Sequence, residues 1–181
     1  MLLFKRQAIG GNMTATITDN KPLAVNMAAY IALYSGVEAM LQGVFEKAIG
    51  GDGSWADSIL HHVQSINTRM DIVEDFLSSC RGDTELAKAI LPLIPRLREA
   101  NTYRNKLAHG VFIDGKPGLP MIASNMFARK KSFRQESISA EMVLAKYHEL
   151  EQLYLEFLHG MGLAPKGFPT RFDRSKPSKG N

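Results

Sequence analysis

One long amphipathic segment constrains the fold of this chain more than any other feature. Between residues 23 and 48 apolar side chains recur at alternating steps of four and three. This period is typical of a helix packed lengthwise against other helices. Pro22 suits the first turn of such a helix, and Gly50 with Gly51 can end it. The pattern therefore predicts a helical bundle. The apolar positions are Leu23, Met27, Tyr30, Tyr34, Val37, Leu41, Val44 and Ala48.

The same kind of periodicity predicts more helices along the chain. A second helix is expected near 55–66, with Ser54 as its N-cap, and a third over about 67–81. These two can also be continuous, because neither Gly nor Pro separates them. A fourth, capped by Asp83, should run to residue 109 with an interruption near Pro92 and Pro95.

The chain changes character after residue 110. Residues 111–114 and 119–123 flank a Gly-Lys-Pro-Gly turn and resemble a small hairpin or an extended loop. Pro120 argues against a well-paired central strand there. A last helix follows over about 139–159, with Ser139 as N-cap. The predicted fold class is thus all-α: a four- to five-helix up-and-down bundle with a short β-hairpin-like insertion before the last helix.

Length and charge indicate one domain with a basic end. The 181 residues are 45% hydrophobic, enough for a single substantial core. We expect a loosely ordered segment over 1–20, a helical domain over 21–164 and a basic flexible tail over 165–181. The tail has five basic residues and one acidic residue, so it alone carries the net charge of +4. Such a segment is typically mobile and solvated, and it can also follow an RNA backbone electrostatically.

Several function classes are disfavoured by composition. The single cysteine, Cys80, cannot form an intrachain disulfide and suits a reducing cytoplasm. The chain lacks a Cys/His cluster, so we expect neither a metal site nor a cofactor. No apolar run after Lys5 and Arg6 indicates a secretory signal, and no stretch approaches 18 uncharged apolar residues. The expected location is cytoplasmic, without a membrane partner.

The strongest functional signal is the heptapeptide Arg-Asn-Lys-Leu-Ala-His-Gly at residues 104–110. A guanidinium such as that of Arg104 can hold a phosphate through two parallel hydrogen bonds. An imidazole such as that of His109 can give or take a proton near neutral pH. Together these groups can cleave a phosphodiester without a metal ion.

The pattern Arg104, Asn105, three residues, His109 resembles the signature of the HEPN superfamily, small all-helical proteins that include metal-independent endoribonucleases and toxins of toxin–antitoxin pairs. The resemblance covers seven residues, and Leu107, Ala108 and the closing Gly110 fit it too. It implies an RNA substrate, a homodimer whose two-fold cleft holds the motif, and a cognate antitoxin protein for toxin-like members. It also implies a role for Arg104 on the phosphate, for His109 in proton transfer, and for Asn105 in orienting the imidazole or the substrate.

Helix geometry limits how these residues can cooperate. Asn105 and His109 are four apart and share a face, whereas Arg104 points about 140° away from His109 on an ideal helix. Either the last turn before Gly110 is distorted, or two chains assemble the site. An isologous dimer would bring two copies of the motif together.

A basic and aromatic segment follows the motif at residues 127–134. Three cations lie between Phe127 and Phe133 and a fourth, Arg134, follows directly, a composition that suits single-stranded RNA because bases stack and phosphates pair with cations. Alternatively, the two aromatics anchor a loop while the cations face water. The candidate RNA-binding residues are Arg129, Lys130, Lys131 and Arg134.

Other functions remain open at this level. The main alternative is a non-catalytic HEPN-like dimer that binds a protein or a nucleic acid. A small-molecule-binding helical regulator is a further class, for which the sequence has no pocket signature. Glu38 can lie in the cleft, although an exposed salt-bridge role is favoured. The adjacent His61 and His62 diverge on a helix and are interpreted as surface or interface residues.

Overall fold

A computed structural model describes residues 20–51, 53–79, 84–113, 120–124 and 134–164. The predicted all-α class with a β insertion before the last helix is confirmed. Counting α4, the 3₁₀ turn and α5 as one interrupted helix gives five helices in this part of the chain. The helices are α1 (Lys21–Ala48), α2 (Gly53–His61), α3 (Ile66–Ser79), α4 (Thr84–Ile90), a 3₁₀ turn (Leu91–Leu93), α5 (Ile94–His109) and α6 (Ala140–Gly160). The predictions for residues 1–19, Asp83 and 165–181 lie outside the described residues.

The chain divides into two compact units. Unit 1 comprises Met1–Ala32 and Thr102–Tyr147, and unit 2 comprises Leu33–Asn101 and His148–Asn181. The described part of unit 1 holds the motif, the strands and the first half of α6. The predicted helical domain over 21–164 therefore contains residues of both units.

The long helix α1 follows its predicted pattern closely. Seven of its eight expected apolar positions are buried, and Ala48 at its end is half-buried. Pro22 lies in the first turn as predicted. The N-cap is Asn20, whose Oδ1 accepts a hydrogen bond from the Leu23 amide at 3.1 Å. This cap satisfies one of the free amides at the start of the helix.

The boundary between α2 and α3 differs from the prediction. α2 begins at Gly53 with Ser54 inside it, and it ends at His61 rather than near Ile66. Ser65 is the N-cap of α3, because its carbonyl accepts from the Arg69 amide at 3.0 Å and its Oγ from the Thr68 amide at 3.4 Å. The two helices are therefore not continuous.

The predicted interruption near Pro92 and Pro95 is present as the 3₁₀ turn between α4 and α5. The first half of α5 is then fixed against α3 by polar contacts within unit 2. Buried Asn101 donates to Asn67 Oδ1 at 3.1 Å. Arg98 pairs with both Asp71 and Glu74 at 2.7 Å, and its hydrogen bond to Glu74 raises the pKa of Arg98. These contacts fix the first half of α5. The motif lies at the other end of the same helix.

The β insertion is a three-stranded antiparallel sheet in the order β1 (Val111–Ile113), β2 (Met121–Ser124) and β3 (Arg134–Ser137). The predicted hairpin is β1 with β2, whereas β3 was not predicted. β2 is the central strand, contrary to the expectation from Pro120. Pro120 lies just before it, where its missing N–H removes no ladder bond, and its carbonyl accepts from the Ile138 amide at 2.9 Å.

The start of α6 is positioned by two contacts in unit 1. Ser139 is the N-cap as predicted, since its Oγ accepts from the Met142 amide at 3.3 Å. A hydrogen bond from Ser139 also lowers the pKa of Glu141 in the first turn. Asn26 of α1 donates to the Ala140 carbonyl at 2.9 Å, which ties the two helices together.

By length and mean hydropathy, α1 meets the lower limit for a membrane-crossing helix. It has 28 residues and an 18-residue window of mean hydropathy 1.2, of which 28% is buried within the structure. Core helices of soluble proteins and signal sequences pass the same test. The absence of a membrane partner therefore stays a prediction.

Candidate functional site

Arg104 and Asn105 form a linked pair near the end of α5. The Arg104 Nη1 donates to Asn105 Oδ1 at 3.0 Å. Successive helix positions diverge by about 100°, so this bond draws the guanidinium from its own face toward that of Asn105. The Arg104 Nε is buried and has no hydrogen-bond partner within the described chain. The guanidinium therefore rests partly against the protein, with one amino group fixed by a carboxamide.

His109 is the last residue of α5 and is exposed. Its ring makes no hydrogen bond or ion pair to any side chain in the part of the chain that the structure describes. Asn105 lies one turn earlier on the same face and is also exposed. Ala108, one turn after Arg104, is exposed and has only a methyl group. Asn105, Ala108 and His109 are thus exposed together at the end of the helix, beside the half-buried Arg104.

The last turn of α5 is regular. The Gly110 amide donates to the Lys106 carbonyl at 2.9 Å, which is the i→i−4 bond of an ideal α-helix. A distorted turn, one of the two ways to align Arg104 with His109, is therefore absent. The bond from Arg104 to Asn105 provides an alternative, because Asn105 shares its face with His109. The second chain thus stays a prediction and is not required by helix geometry alone.

Close packing fixes this turn within unit 1. Leu107, on the opposite side of the helix from Asn105 and His109, is buried. Gly110 does not adopt the positive φ of a glycine helix cap. A Cβ at that position would lie 2.5 Å from Ile122 side-chain atoms and from the Lys106 carbonyl oxygen. Glycine is therefore needed there because β2 approaches the helix end closely.

Lys106 has a structural role that the sequence did not indicate. Its Nζ forms an ion pair with Glu136 of β3 and lies 5.8 Å from the centre of the Tyr103 ring. Tyr103 in turn packs edge-on against Tyr30 of α1, with ring centres 5.1 Å apart. Lys106 and Glu136 are 30 positions apart, so neither periodicity nor a local motif could reveal the pair. Of the two cations in the motif, Lys106 supports the fold and Arg104 is the candidate ligand-binding group.

The structure describes only one of the four predicted RNA-binding residues. Arg129, Lys130 and Lys131 lie outside the described residues. Arg134 is the first residue of β3, where its backbone pairs with Ser124. Strand β3 is joined to α5 by the ion pair of Glu136 with Lys106. The structure therefore brings the end of the basic segment to the sheet that packs beside the motif helix.

Two other polar candidates belong to unit 2. Glu38 pairs with Arg69 at 3.8 Å, so the favoured salt-bridge role is confirmed. His61 and His62 are exposed, and their rings lie edge to face 5.7 Å apart. Among the described residues, no group of three or more His, Cys, Asp or Glu side chains is arranged to hold a metal ion.

Charge is distributed unequally between the units. The described residues of unit 1 include five basic and two acidic side chains, a net charge of +3 with His neutral. Those of unit 2 include eleven acidic and five basic side chains, a net charge of −6. The motif therefore lies in the unit whose charge favours a polyanion.

No protein-family model matches this chain, and neither the curated proteins nor the solved structures show a significant similarity to it.

Proposed function

We propose that this protein is a metal-independent endoribonuclease of HEPN type that acts as a homodimer. The observation that carries the proposal is the exposed end of α5, where Asn105 holds the Arg104 guanidinium on the side of the helix that also bears His109. Phosphate binding and proton transfer are the two functions that metal-free RNA cleavage requires, and these residues can supply both.

The proposed reaction uses the ribose as its own nucleophile. The 2′-oxygen attacks the adjacent phosphorus, the bond from phosphorus to the 5′-oxygen breaks, and a cyclic phosphate and a 5′-hydroxyl result. One imidazole removes the proton of the 2′-hydroxyl, and another delivers a proton to the departing 5′-oxygen. Arg104 stabilises the charge that grows on the phosphate oxygens.

A homodimer is proposed because the reaction needs two proton transfers. One chain supplies one His109, and the described part of unit 1 contains no other histidine. A two-fold axis beside the motif would supply a second imidazole and a second guanidinium. The basic charge of unit 1 and the basic segment 127–134 would then attract the RNA backbone from both chains. A cognate antitoxin belongs to the same proposal, as a protein partner that covers this surface.

The test is cleavage of a mixed-sequence RNA in the presence of EDTA. The wild type should yield 2′,3′-cyclic phosphate ends, and His109→Ala should lower the rate by about 10²–10⁴-fold. Arg104→Lys keeps the charge but loses the two-pronged hydrogen bonding, so it should also lower the rate. His159→Ala is the matched control, because this exposed histidine likewise lies in the last turn of a helix, in acidic unit 2.

Equal rates for the wild type, His109→Ala and Arg104→Ala would refute the catalytic site. RNA binding without cleavage by the wild type would instead assign the surface to a non-catalytic binding module. Loss of activity in His159→Ala of the same size as in His109→Ala would show that the effect is not specific to the motif.

A further inference from the structure

An open apolar groove lies in unit 2 and is formed by residues outside the motif. Its volume is about 510 Å³, within the range of ligand-binding clefts. Trp55 is 64% exposed and Ile59 42% exposed at its edge. None of its lining residues within the described part of the chain is charged, which is unusual for exposed surface. The lining residues are Ala48, Ile49, Gly50, Trp55, Ile59 and Phe76.

The groove is built from the end of α1 and from α2 and α3. Trp55 and Ile59 are four residues apart on α2 and project from one face. Phe76 of α3 packs edge-on against buried Phe45 of α1, with ring centres 5.4 Å apart. The aromatic floor is therefore held by the core, while its upper side remains open to a ligand.

The end of α6 contacts the last turn of α1, the helix end that contributes to the groove. The Lys47 Nζ donates to the Met161 carbonyl at 2.8 Å, and Lys47 directly precedes the lining residue Ala48. Gly162, with φ 72°, turns the chain out of the helix, and the Leu163 amide bonds back to the Leu158 carbonyl at 2.8 Å. The described chain therefore leaves α6 beside the last turn of α1.

The segment that follows, residues 165–181, has both the reach and the side chains to occupy the groove. Phe168 is four residues beyond Ala164, and Phe172 is eight residues beyond it. At about 3.5 Å per extended residue these side chains can reach about 14 and 28 Å from Ala164. Both aromatics suit an apolar groove that contains exposed tryptophan.

Charge complements the apolar match. The segment 165–181 carries five basic residues and one acidic residue, a net charge of +4. The described residues of unit 2 carry a net charge of −6, from eleven acidic and five basic side chains. Residues 165–181, which begin in this unit, are therefore attracted to it rather than repelled from it.

We propose that residues 165–181 bind this groove within the same chain. Phe168 and Phe172 pack against Trp55 and Phe76, and the neighbouring basic side chains face the acidic surface of unit 2. This assignment does not depend on ribonuclease activity, and it gives residues 165–181 a binding site other than RNA.

Trp55 is the single tryptophan of the chain and reports directly on the groove. Its quenching by neutral acrylamide should be measured in the full-length wild type and in the double variant Phe168→Ser/Phe172→Ser. Covering the exposed indole should lower the quenching constant of the wild type to about half that of the variant. A synthetic peptide of residues 165–181 added to the variant should restore the protection.

The matched control is Thr170→Ala/Ser175→Ala, which leaves the aromatic and charged residues of the segment unchanged and should quench like the wild type. Unchanged far-UV circular dichroism should accompany all variants and shows that the helices remain folded. Equal quenching of the wild type and the double variant would overturn the proposal. Protection that disappears on dilution would also overturn it, because the segment would then bind a second copy of the chain.

Discussion

At the scale of single residues, the contact between Arg104 and Asn105 determines which direction the guanidinium takes. The Arg104 Nη1 is held at 3.0 Å by Asn105, while its buried Nε has no partner among the described residues. An unpaired buried donor destabilises a conformation by about 1–3 kcal/mol. The observed position of Arg104 therefore depends on Asn105, and a phosphate that offers acceptors to the guanidinium can replace it.

Asn105→Ala should consequently weaken phosphate binding without unfolding the helix, because Asn105 is exposed. A hydrogen bond to a charged group is worth about 1.5–3 kcal/mol, so kcat/KM for RNA cleavage should fall by about 10- to 100-fold. Asn105→Asp retains an acceptor but adds a negative charge that competes with the phosphate for Arg104, so it should lose at least as much. Cleavage kinetics in EDTA check both variants, with Tm as the control for folding. Full activity of Asn105→Ala would remove this residue from the site.

Gly110 is a second residue whose role is set by its surroundings. Gly110→Ala places a Cβ 2.5 Å from Ile122 atoms and from the Lys106 carbonyl oxygen, so the sheet and helix must separate. Overpacking of this kind lowers the free energy of unfolding by about 1–3 kcal/mol. Gly36→Ala is the control, since its Cβ would meet Tyr154 at an ordinary 3.6 Å. That change should leave stability unchanged or raise it by up to about 1 kcal/mol. Urea denaturation distinguishes the two, and equal stability of both variants would contradict the packing argument.

At the scale of elements, the helices were largely predictable because burial of one face repeats with the helical period. The stripe of α1 and the interruption at Pro92 are present as the sequence indicates. The break between α2 and α3 was predicted too late, near residue 66, with continuity left open, because the segment contains neither Gly nor Pro. It depends instead on the Ser65 cap and on Arg69, whose Nε donates to the Val63 carbonyl at 2.7 Å. Strand β3 was missed because its four residues acquire their structure only by pairing with β2.

The capping of α6 provides a test with a pH readout. The hydrogen bond from Ser139 holds the pKa of Glu141 below its ordinary value. A lowered folded-state pKa contributes stability that is present above the unfolded-state pKa and is lost as pH falls through the folded value. Ser139→Ala should therefore raise the pKa of Glu141 toward its ordinary value and lower the free energy of unfolding by about 1 kcal/mol through loss of the N-cap. NMR titration of the Glu141 carboxyl measures the shift, and an unchanged pKa would refute this account. Lys146→Ala, an exposed position further along α6, is the control.

The candidate site shows what a local motif can and cannot reveal. The residue types of Arg104 and His109 indicate their chemistry directly, and their exposure at a helix end agrees with that interpretation. The divergence of about 140° between them assumes an ideal backbone with side chains that project radially. It does not include the bond of Arg104 to Asn105, because side-chain conformation depends on neighbours. The pairing of Lys106 with Glu136 was equally inaccessible, since it follows from the sheet rather than from the motif.

At the scale of the whole molecule, the sequence conceals an internal division of charge. Residues 1–164 have a net charge of zero, yet the described residues of unit 1 carry a net charge of +3 and those of unit 2 a net charge of −6. The excess of basic charge lies with the motif, where a polyanion would bind, and the acidic unit carries the groove proposed for the basic segment 165–181. The net charge of the chain reveals neither the basic charge around the motif unit nor the acidic charge of the groove unit. Each unit is built from two separate stretches of the sequence.

The last prediction concerns the proposed dimer. It distinguishes a site built from residues of both chains from two sites that are each complete within one chain. Arg104→Ala and His109→Ala should each be nearly inactive as homodimers. If the site takes Arg104 from one chain and His109 from the other, a mixed dimer retains one such pair and recovers part of the activity, less than the wild type because it lacks the second imidazole. If each chain works alone, mixing recovers nothing. Co-refolding the two variants in equal amounts and measuring RNA cleavage in EDTA checks this, with wild type mixed with the double variant Arg104→Ala/His109→Ala as the control. Because Asn105 directs the guanidinium toward the His109 face within one chain, recovery in the mixture would show that the second chain still completes the site.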